Sequence, residues 1–416
     1  FTNFIARYTR RGFRDLQKEL GEINSVMEES ISGQRVVKAF RRSESSIERF
    51  RASNQKVYAA GVYANTYALM LMPLTNVLGT GPFKFVEWQR GSRLVYERND
   101  NYWGDKPAWQ KLTLRPLSNN TARVAALLSG DVDLIEDPPT ADLAKLKTDP
   151  KITLAQAVSN RVIYVHLDQH GDPPIAIPDT NGKNPLMDKR VRQALSLAID
   201  RKGIVDKIME GVALPAGDFL PYPMGGTSKD TPIDKFDSVS AKKLLAEAGY
   251  PNGFSVTLDC PNDRYNNDEQ ICQAVTAMLA QIGIKVDLQA RSKTLHFPKL
   301  QKSDSSMYLL GWGVPTLDSH YVFTFLYQTN DATKKVGGWN YTGYSNPRMD
   351  ELSDAMLKEV DQAKRDKMIA DAWALAIADM PYLPLHHQLI VWSMSDKVTM
   401  PIFANDSPNF KYGKMK

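Results

Sequence analysis

Cysteine and histidine are scarce in this chain, whose 416 residues include two cysteines and six histidines. A disulfide-dense scaffold or a four-thiolate zinc site therefore cannot be built. Cys260 ends a strand-like run, and Cys272 follows it on a predicted helix. Two buried free thiols and one disulfide are both compatible with this pattern. The chain is nevertheless long enough for more than one core, since single cores stop growing at roughly 250 to 300 residues.

Motifs for catalysis and metal binding are also missing. The sequence contains no G-x-x-x-x-G-K-[ST] phosphate loop, no G-x-S-x-G elbow and no H-E-x-x-H pair. His386 and His387 are adjacent, and neighbouring side chains on a strand point to opposite faces, so the pair cannot chelate one ion together. We therefore predict a protein that is not an enzyme and that needs no cofactor or metal.

The net charge of +5 resides at the start of the chain, where residues 1–80 hold 12 basic and 7 acidic side chains. The remainder is neutral and has no basic run interleaved with aromatics, which argues against nucleic acid as a partner. Lys56 and Lys84 bracket 27 residues without a charge. Within them, residues 57–78 reach the roughly 20 residues that a membrane helix needs. This run predicts membrane association, with a buried helix as the alternative.

The body of the chain alternates strand and helix patterns, which predicts an α/β protein. The cleanest unit begins where Phe254, Val256 and Leu258 alternate with polar residues. A helix-spaced apolar series follows and stops at Gly283, after which a second strand begins. Other predicted elements are a strand at 112–114, a helix from a cap at Asn120 to Gly130, and helices at 190–209, 240–248 and 347–378.

Four long stretches resemble the peptide-binding family of periplasmic solute receptors, and they occur in that family's order. They include GTGPFKFVEWQRGSRLVYERNDNYWG at 79–104, NPLMDKRVRQALSLAIDRKGIV at 184–205, AKKLLAEAGYPNGF at 241–254 and LLGWGVPTLDSHYVF at 309–323. The resemblance implies two α/β lobes that close on a peptide or similar solute. It also implies an importer permease as partner and a location outside the cytoplasmic membrane. The expected lobes are 80–188 with 383–416, and 189–382.

The resemblance places Trp312 and Gly313 against the ligand, directly after an apolar strand. Relatives carry an aspartate a few residues further on, which receives the amine of the peptide. Here Val314 and Pro315 stand where that acid is often found, and Asp318 is the nearest carboxylate. Asp318 is therefore either the amine acceptor or a helix cap.

Further ligand-binding residues are expected around the cleft. Arg264 and Tyr265 follow a strand end and can hold a ligand carboxylate through paired hydrogen bonds, although a surface turn is the alternative. Arg161 lies on a strand expected to join the lobes. Trp339 and Tyr341 can stack on ligand side chains or pack in the core.

Residues 1–79 resemble a different family, the transmembrane subunits of ABC exporters. The resemblance rests on ESISGQRVVKAF at 29–40 and on the apolar segment that follows. It predicts an all-α segment in front of the receptor, and it implies that the first lobe lacks a stretch which relatives carry before residue 79.

An incomplete lobe predicts weaker ligand binding than in an intact relative. A natural membrane anchor and a join between two unrelated fragments near residues 77–81 both explain the junction. The competing hypothesis for the whole chain is an exporter-like membrane subunit with an extracytoplasmic appendage.

Overall fold

A computed structural model describes residues 14, 15, 18, 22, 48, 51–56 and 81–416. The described residues before 57 are helical. The predicted membrane helix at 57–78, and with it the predicted membrane association, lies outside the described residues. In the part of the chain that is described, no helix is both long and apolar enough to cross a membrane.

The chain forms two compact units, of which the first comprises the described residues up to Leu117 together with Phe410–Lys414. An antiparallel sheet of three strands forms its β structure, and these strands pair in chain order. The indole N–H of Trp109 donates to the carbonyl oxygen of Phe410 at 2.9 Å, which ties the late segment to this unit. The strands are β1 (Phe83–Gln89), β2 (Arg93–Arg98) and β3 (Lys111–Leu114), the last confirming the strand predicted at 112–114.

The second unit, Ser118–Asn409 with Met415 and Lys416, is built on a mixed sheet of seven strands. Its spatial order is β4-β10-β5-β9-β7-β8, and β6 pairs with β10. Strand β7 is parallel to β8 and β9, whereas β5 and β10 are antiparallel to all their neighbours. The bounds are β4 (Leu134–Glu136), β5 (Ile152–Leu167), β6 (Ala213–Pro215), β7 (Ser255–Pro261), β8 (Lys285–Arg291), β9 (Met307–Gly313) and β10 (Tyr382–Ser395). Two-residue strands β11 (Val398–Thr399) and β12 (Lys414–Met415) follow.

Helices accompany these strands as the alternation predicted. They are α1 (Asn120–Ser129), α2 (Leu143–Thr148), α3 (Lys189–Ala198), α4 (Arg201–Gly203), α5 (Ser238–Glu247), α6 (Asp268–Ala280), α7 (Lys293–Leu300), α8 (Ser319–Val322), α9 (Pro347–Met356) and α10 (Gln362–Asp379). Tight 3₁₀ turns occur at Thr140–Asp142, Pro185–Met187 and Phe410–Tyr412, and π turns at Ile204–Ile208 and Phe323–Tyr327. The predicted unit of strand, helix and strand is confirmed by β7, α6 and β8.

Two predicted helices were wrong as continuous elements. The helix expected at 190–209 ends at Ala198, because the carboxylate of Asp200 accepts a hydrogen bond from the Gly203 amide at 2.8 Å and starts a new turn. The helix expected at 347–378 is interrupted after Met356. There Asp361 caps α10 by accepting from the Lys364 amide at 3.0 Å. In both cases an aspartate inside a continuing apolar periodicity marks the start of a new helical segment.

A smaller correction concerns the cap of α1. Asn119, and not Asn120, accepts from the Ala122 amide, at 2.8 Å. Gly130 ends this helix as predicted, with a positive φ of 80° that suits a residue without a side chain.

Alternation along β5 divides the interior into two cores, one on each face of the sheet. Its odd-numbered residues, such as Ile163 and Val165, pack with α3, α5 and α6. Its even-numbered residues, such as Val162 and Tyr164, pack with α9 and α10. In β9, too, odd-numbered residues face the first core and even-numbered residues face the second. The number of a residue on β5 or β9 therefore tells on which face of the sheet it lies.

The turn before β7 requires glycine. Gly253 has a φ of +72°, and a β-carbon there would collide with the carbonyl of Gly283. We expect Gly253→Ala to lower the free energy of unfolding by at least about 2 kcal/mol. Alanine would be strained in the left-handed backbone conformation, and its β-carbon would also collide with the backbone of Gly283. Urea unfolding measures the loss. Gly338→Ala is the matched control, because a β-carbon at Gly338 meets nothing within 4 Å. Equal stability of the two variants would contradict the prediction.

Candidate functional site at the ends of parallel strands

The loops that follow β7 and β9 lie at one edge of the sheet. These strands are parallel, with Leu258 opposite Met307 and Asp259 opposite Tyr308, so their carboxyl ends point the same way. Open α/β sheets bind ligands in the crevice outside the carboxyl ends of their strands. Most of the ligand-binding residues predicted from the sequence fall on these two loops or beside them.

Two guanidinium groups flank the ring of Tyr265. The Cζ atom of Arg264 is 4.9 Å from the ring centroid, and that of Arg161 is 6.0 Å from it. Arg161 reaches this position from β5, where it lies opposite Gly313 of β9. Among the described residues, neither guanidinium has a hydrogen bond or an ion pair. The structure thus brings together Arg161, Arg264, Tyr265 and Gly313, and it leaves two cations available to an anionic group.

Hydrogen bonds to Asp268 and Gly311 hold the loop that carries Arg264 in place. Asp268, at the start of α6 and 3% exposed, accepts from the amides of Arg264 and Tyr265, both at 2.9 Å. Burial raises the pKa of Asp268, while these amide hydrogen bonds oppose the rise. The hydroxyl oxygen of Tyr265 accepts from the amide of Gly311 at 2.9 Å. The ring between the two guanidinium groups is therefore fixed at both ends.

A disulfide closes the same loop. Cys260 and Cys272 are bonded, with their Cα atoms 6.5 Å apart and both residues fully buried. Of the two alternatives left by the sequence, the structure therefore shows the disulfide. It joins the end of β7 to the second turn of α6 and encloses Arg264 and Tyr265.

Trp312 lies on the opposite face of the sheet from Arg161. It is an even-numbered residue of β9 and belongs to the core that α9 and α10 cover. Its ring centroid is 5.6 Å from that of Trp339, which in turn is 5.7 Å from that of Tyr341. The predicted site residues thus form two groups, one on each face of the strand end.

Asp318 caps a helix in this structure. Its Oδ1 atom accepts from the His320 amide at 2.9 Å and from the guanidinium of Arg365 at 2.8 Å. Burial raises the pKa of Asp318, but the hydrogen bonds from Arg365 and His320 and the charge of Arg365 together outweigh this, and the pKa lies below its usual value. The helix that Asp318 starts carries Tyr321 and continues into Phe325. The role of Asp318 toward a ligand amine stays a prediction.

Two carboxylates that the sequence analysis missed, those of Asp137 and Asp406, lie near Arg161. Asp137 follows β4, and its Oδ1 atom accepts from the side-chain amide of Asn266 at 3.4 Å. Asp406 accepts from the indole N–H of Trp392 at 3.3 Å. Burial, with the neighbouring charge of Asp137, raises the pKa of Asp406 to about 6, and Arg161 counteracts this rise.

No group of three or more metal-ligating side chains occurs within the described ranges. His386 and His387 lie on β10 with alternating orientation, as expected. His387 is 3.2 Å from a carboxylate oxygen of Asp218, while burial lowers the pKa of His386 to about 3. The two imidazoles belong to separate environments and form no joint site.

This arrangement is an α/β fold built on a mixed sheet, in which two long strands contribute to both cores and a candidate site lies at the strand ends. The family of bacterial extracellular solute-binding proteins, family 5, middle region, matches residues 70–334, and the chain belongs to this family. The ABC transporter transmembrane region matches residues 1–86. Both resemblances identified in the sequence are confirmed.

Similar proteins span a range of stated ligands. Heme-binding protein A of Haemophilus influenzae is 27% identical over 77% of this chain and 56% of its own length. Glutathione-binding protein GsiB of Pectobacterium atrosepticum is 28% identical over 77% and 61%. The dipeptide-binding protein of Escherichia coli K12 is 26% identical over 76% and 57%. The chain thus spans less than two thirds of the length of each of these relatives.

Solved structures share the fold. The dipeptide-binding protein of Pseudoalteromonas sp. SM9913, crystallised with Met-Leu, superposes with a TM-score of 0.68 at 24% identity, covering 81% of this chain and 64% of that one. HbpA2 of Haemophilus parasuis superposes with a TM-score of 0.66 at 25% identity, covering 85% and 68%.

Proposed function

We propose that this protein is an extracytoplasmic receptor that binds a peptide or similar small solute between two lobes and delivers it to an importer permease. The observation that carries the proposal is the pair of guanidinium groups at Tyr265, which have no hydrogen bond or ion pair within the described part of the chain and lie at the edge where β7 and β9 end. A peptide has a terminal carboxylate that fits such a pair. Relatives named for dipeptides and for glutathione support the assignment.

Two strands are suited to join the proposed lobes. Strand β10 pairs with β5 from Tyr382 to Ser395, and the register shifts between Pro384 and His386 and again between His387 and Leu389. The start of β10 coincides with the boundary expected at 382/383. We propose that the lobes are 80–188 with 383–416, and 189–382, and that they rotate about this irregular stretch.

The guanidinium pair is proposed as the receptor for the ligand carboxylate. Arg264 and Tyr265 lie on a loop fixed by Asp268, and Arg161 lies on a strand of the sheet, so the cations are held before a ligand arrives. For Asp318 we propose the cap role over the amine role, because Arg365 and the helix already occupy its Oδ1 atom. Trp312, Trp339 and Tyr341 are proposed to contact the rest of the ligand.

Calorimetry on the full chain in mild detergent tests the function with three related peptides. We expect saturable binding of Met-Leu, similar affinity for N-acetyl-Met-Leu, and clearly weaker binding of the C-terminal amide, because only the amide lacks the charge that Arg161 and Arg264 bind. Mass spectrometry should recover the dipeptide intact after incubation. Absence of heat with all three peptides would overturn the receptor assignment, and hydrolysis of Met-Leu would indicate a peptidase.

The alternative function, an exporter-like membrane subunit, is favoured by one observation, the match of the transmembrane region to residues 1–86. It predicts no dependence on Arg264 and no peptide affinity. The same calorimetric titration therefore distinguishes the two hypotheses.

A further inference from the structure

A small cavity beside the start of β10, which we call the β10 cavity, lies away from the candidate site. Tyr382 in its wall is opposite His166, which in turn is opposite Tyr308 near the beginning of β9. Gly313 at the candidate site is five residues further along β9, or about 17 Å at the rise of a strand. The β10 cavity has a volume of about 80 Å³, and its lining includes Ser196, Arg201, Asp234, Tyr327, Trp373 and Pro384.

A buried cation lines the β10 cavity. Arg201 is 5% exposed, and burial lowers its pKa to about 10, although the charge of Asp234 opposes this. The guanidinium donates to the backbone oxygens of Pro384 at 2.7 Å and Ser196 at 3.0 Å, and to the hydroxyl of Ser196 at 2.9 Å. Three of its five N–H groups are thus used, all on neutral oxygens. No carboxylate of a described residue forms an ion pair with Arg201, although buried charges are normally paired.

Two further polar groups of the lining have hydrogen-bonding capacity to spare. The Oδ2 atom of Asp234 accepts from the side chains of Gln193 at 3.1 Å and Ser196 at 2.5 Å. Its Oδ1 atom has no hydrogen bond within the described ranges. The same is true of the hydroxyl of Tyr327, a residue that is 3% exposed. Burial raises the pKa of Tyr327, so this hydroxyl remains a donor.

We propose that the β10 cavity is a second binding site, separate from the proposed peptide cleft, for a small zwitterion of which glycine is the simplest. The carboxylate of the ligand accepts from the unused N–H groups of Arg201 and from Tyr327, and its ammonium donates to Asp234 Oδ1. The hydroxyl of Ser196 bridges Arg201 and Asp234, so the two charges are close enough for one small molecule to contact both. The volume limits the ligand, since an engineered cavity of about 150 Å³ takes up a molecule as small as benzene.

Equilibrium dialysis of the full chain in mild detergent with radiolabelled glycine tests this inference. We expect saturable binding of one glycine per chain. Unlabelled acetate and methylammonium each carry only one of the two charges and should compete at least about tenfold less well than unlabelled glycine. Leucine should compete equally poorly, because its side chain exceeds the volume of the β10 cavity.

Two conservative variants test the lining residues. Asp234→Asn keeps an oxygen for Ser196 but removes the charge, and it should weaken glycine binding by at least about tenfold. Tyr327→Phe removes only the hydroxyl and should weaken binding by about 2- to 10-fold. Tyr222→Phe is the matched control, since Tyr222 is 53% exposed and outside the β10 cavity, and it should bind glycine as the wild type does. Circular dichroism checks that each variant folds.

Arg264→Ala distinguishes the β10 cavity from the proposed peptide cleft. Glycine affinity should be unchanged in this variant, because Arg264 lies at the other end of the sheet. Loss of glycine binding in Arg264→Ala would place glycine in the peptide cleft and overturn this inference. Absence of glycine binding to the wild type, or unchanged glycine affinity in either folded Asp234→Asn or folded Tyr327→Phe, would also overturn it. Each of these outcomes leaves the receptor function standing, since that function is measured by Met-Leu binding.

Discussion

Replacement of Arg264 by alanine is expected to weaken Met-Leu binding by about 10- to 150-fold, the range for losing a hydrogen bond to an ionised group. The guanidinium of Arg264 lies 4.9 Å from the centroid of Tyr265, and no described residue competes for it. All of its interaction with an anion is therefore available to the ligand. Isothermal titration calorimetry on the full chain measures the change.

Met-Leu with an amidated C-terminus provides the control for Arg264→Ala. If Arg264 contacts the carboxylate, Arg264→Ala and amidation remove the same interaction, and the two losses should not add. Arg264→Lys should recover only part of the affinity, because an ammonium keeps the charge and loses the planar fork. Arg348→Ala is the matched surface variant, since Arg348 is exposed and pairs with Glu351. Additive losses for Arg264→Ala and amidation would show that Arg264 acts elsewhere.

Local elements of the fold followed from the residue pattern because neighbouring residues determine them. The strands around α6 were predicted from alternation, and Gly283, with a φ of +91°, marks the end of the helix. The breaks after α3 and α9 were missed, since Asp200 and Asp361 sit within stretches whose apolar spacing continues across them. Their capping carboxylates are visible in the sequence and could have indicated both breaks.

The candidate site was only partly predictable. Arg264 and Trp312 were identified because each directly follows or ends an apolar strand. That Trp312 lies on the opposite face of the sheet from Arg161 depends on the pairing of β5 with β9, which single-sequence patterns do not reveal. Tyr321 and Phe325, whose rings contact that of Trp312, were missed, although their spacing of four after a capping aspartate is a local pattern. Asp137 and Asp406 are 269 positions apart in the chain, and only the tertiary fold brings both near Arg161.

Two side-chain hydrogen bonds join the loop that carries Arg264 to the segment after β4. Asn266 and Asn267 belong to the loop of Arg264, and their side-chain amides donate to Asp137 at 3.4 Å and to Thr140 at 3.0 Å. These acceptors lie in the segment after β4, which we assign to the other lobe. One loop therefore both presents the proposed carboxylate receptor and contacts the opposite lobe. Ligand binding and lobe closure would act on the same few residues.

Loss of the Cys260–Cys272 disulfide is expected to lower the free energy of unfolding by about 3 kcal/mol, because the bond closes a short loop and restricts the unfolded chain. The cysteines are 12 positions apart and fully buried in the core that packs against α6. Urea unfolding of the wild type with and without reductant measures the change. Reductant reaches the bond in the unfolded chain and prevents its reformation.

The double variant Cys260→Ala with Cys272→Ala distinguishes the loss of the disulfide from any other effect of the reductant on unfolding. It should unfold at a lower urea concentration than the oxidised wild type, and reductant should leave its transition unchanged. Arg264 and Tyr265 lie inside the closed loop, and the hydrogen bonds to Asp268 hold the same loop independently. We therefore expect the double variant to lose stability while its affinity for Met-Leu falls by much less than in Arg264→Ala. An unchanged unfolding midpoint would show that these hydrogen bonds and the surrounding core, without the covalent bond, hold β7 to α6.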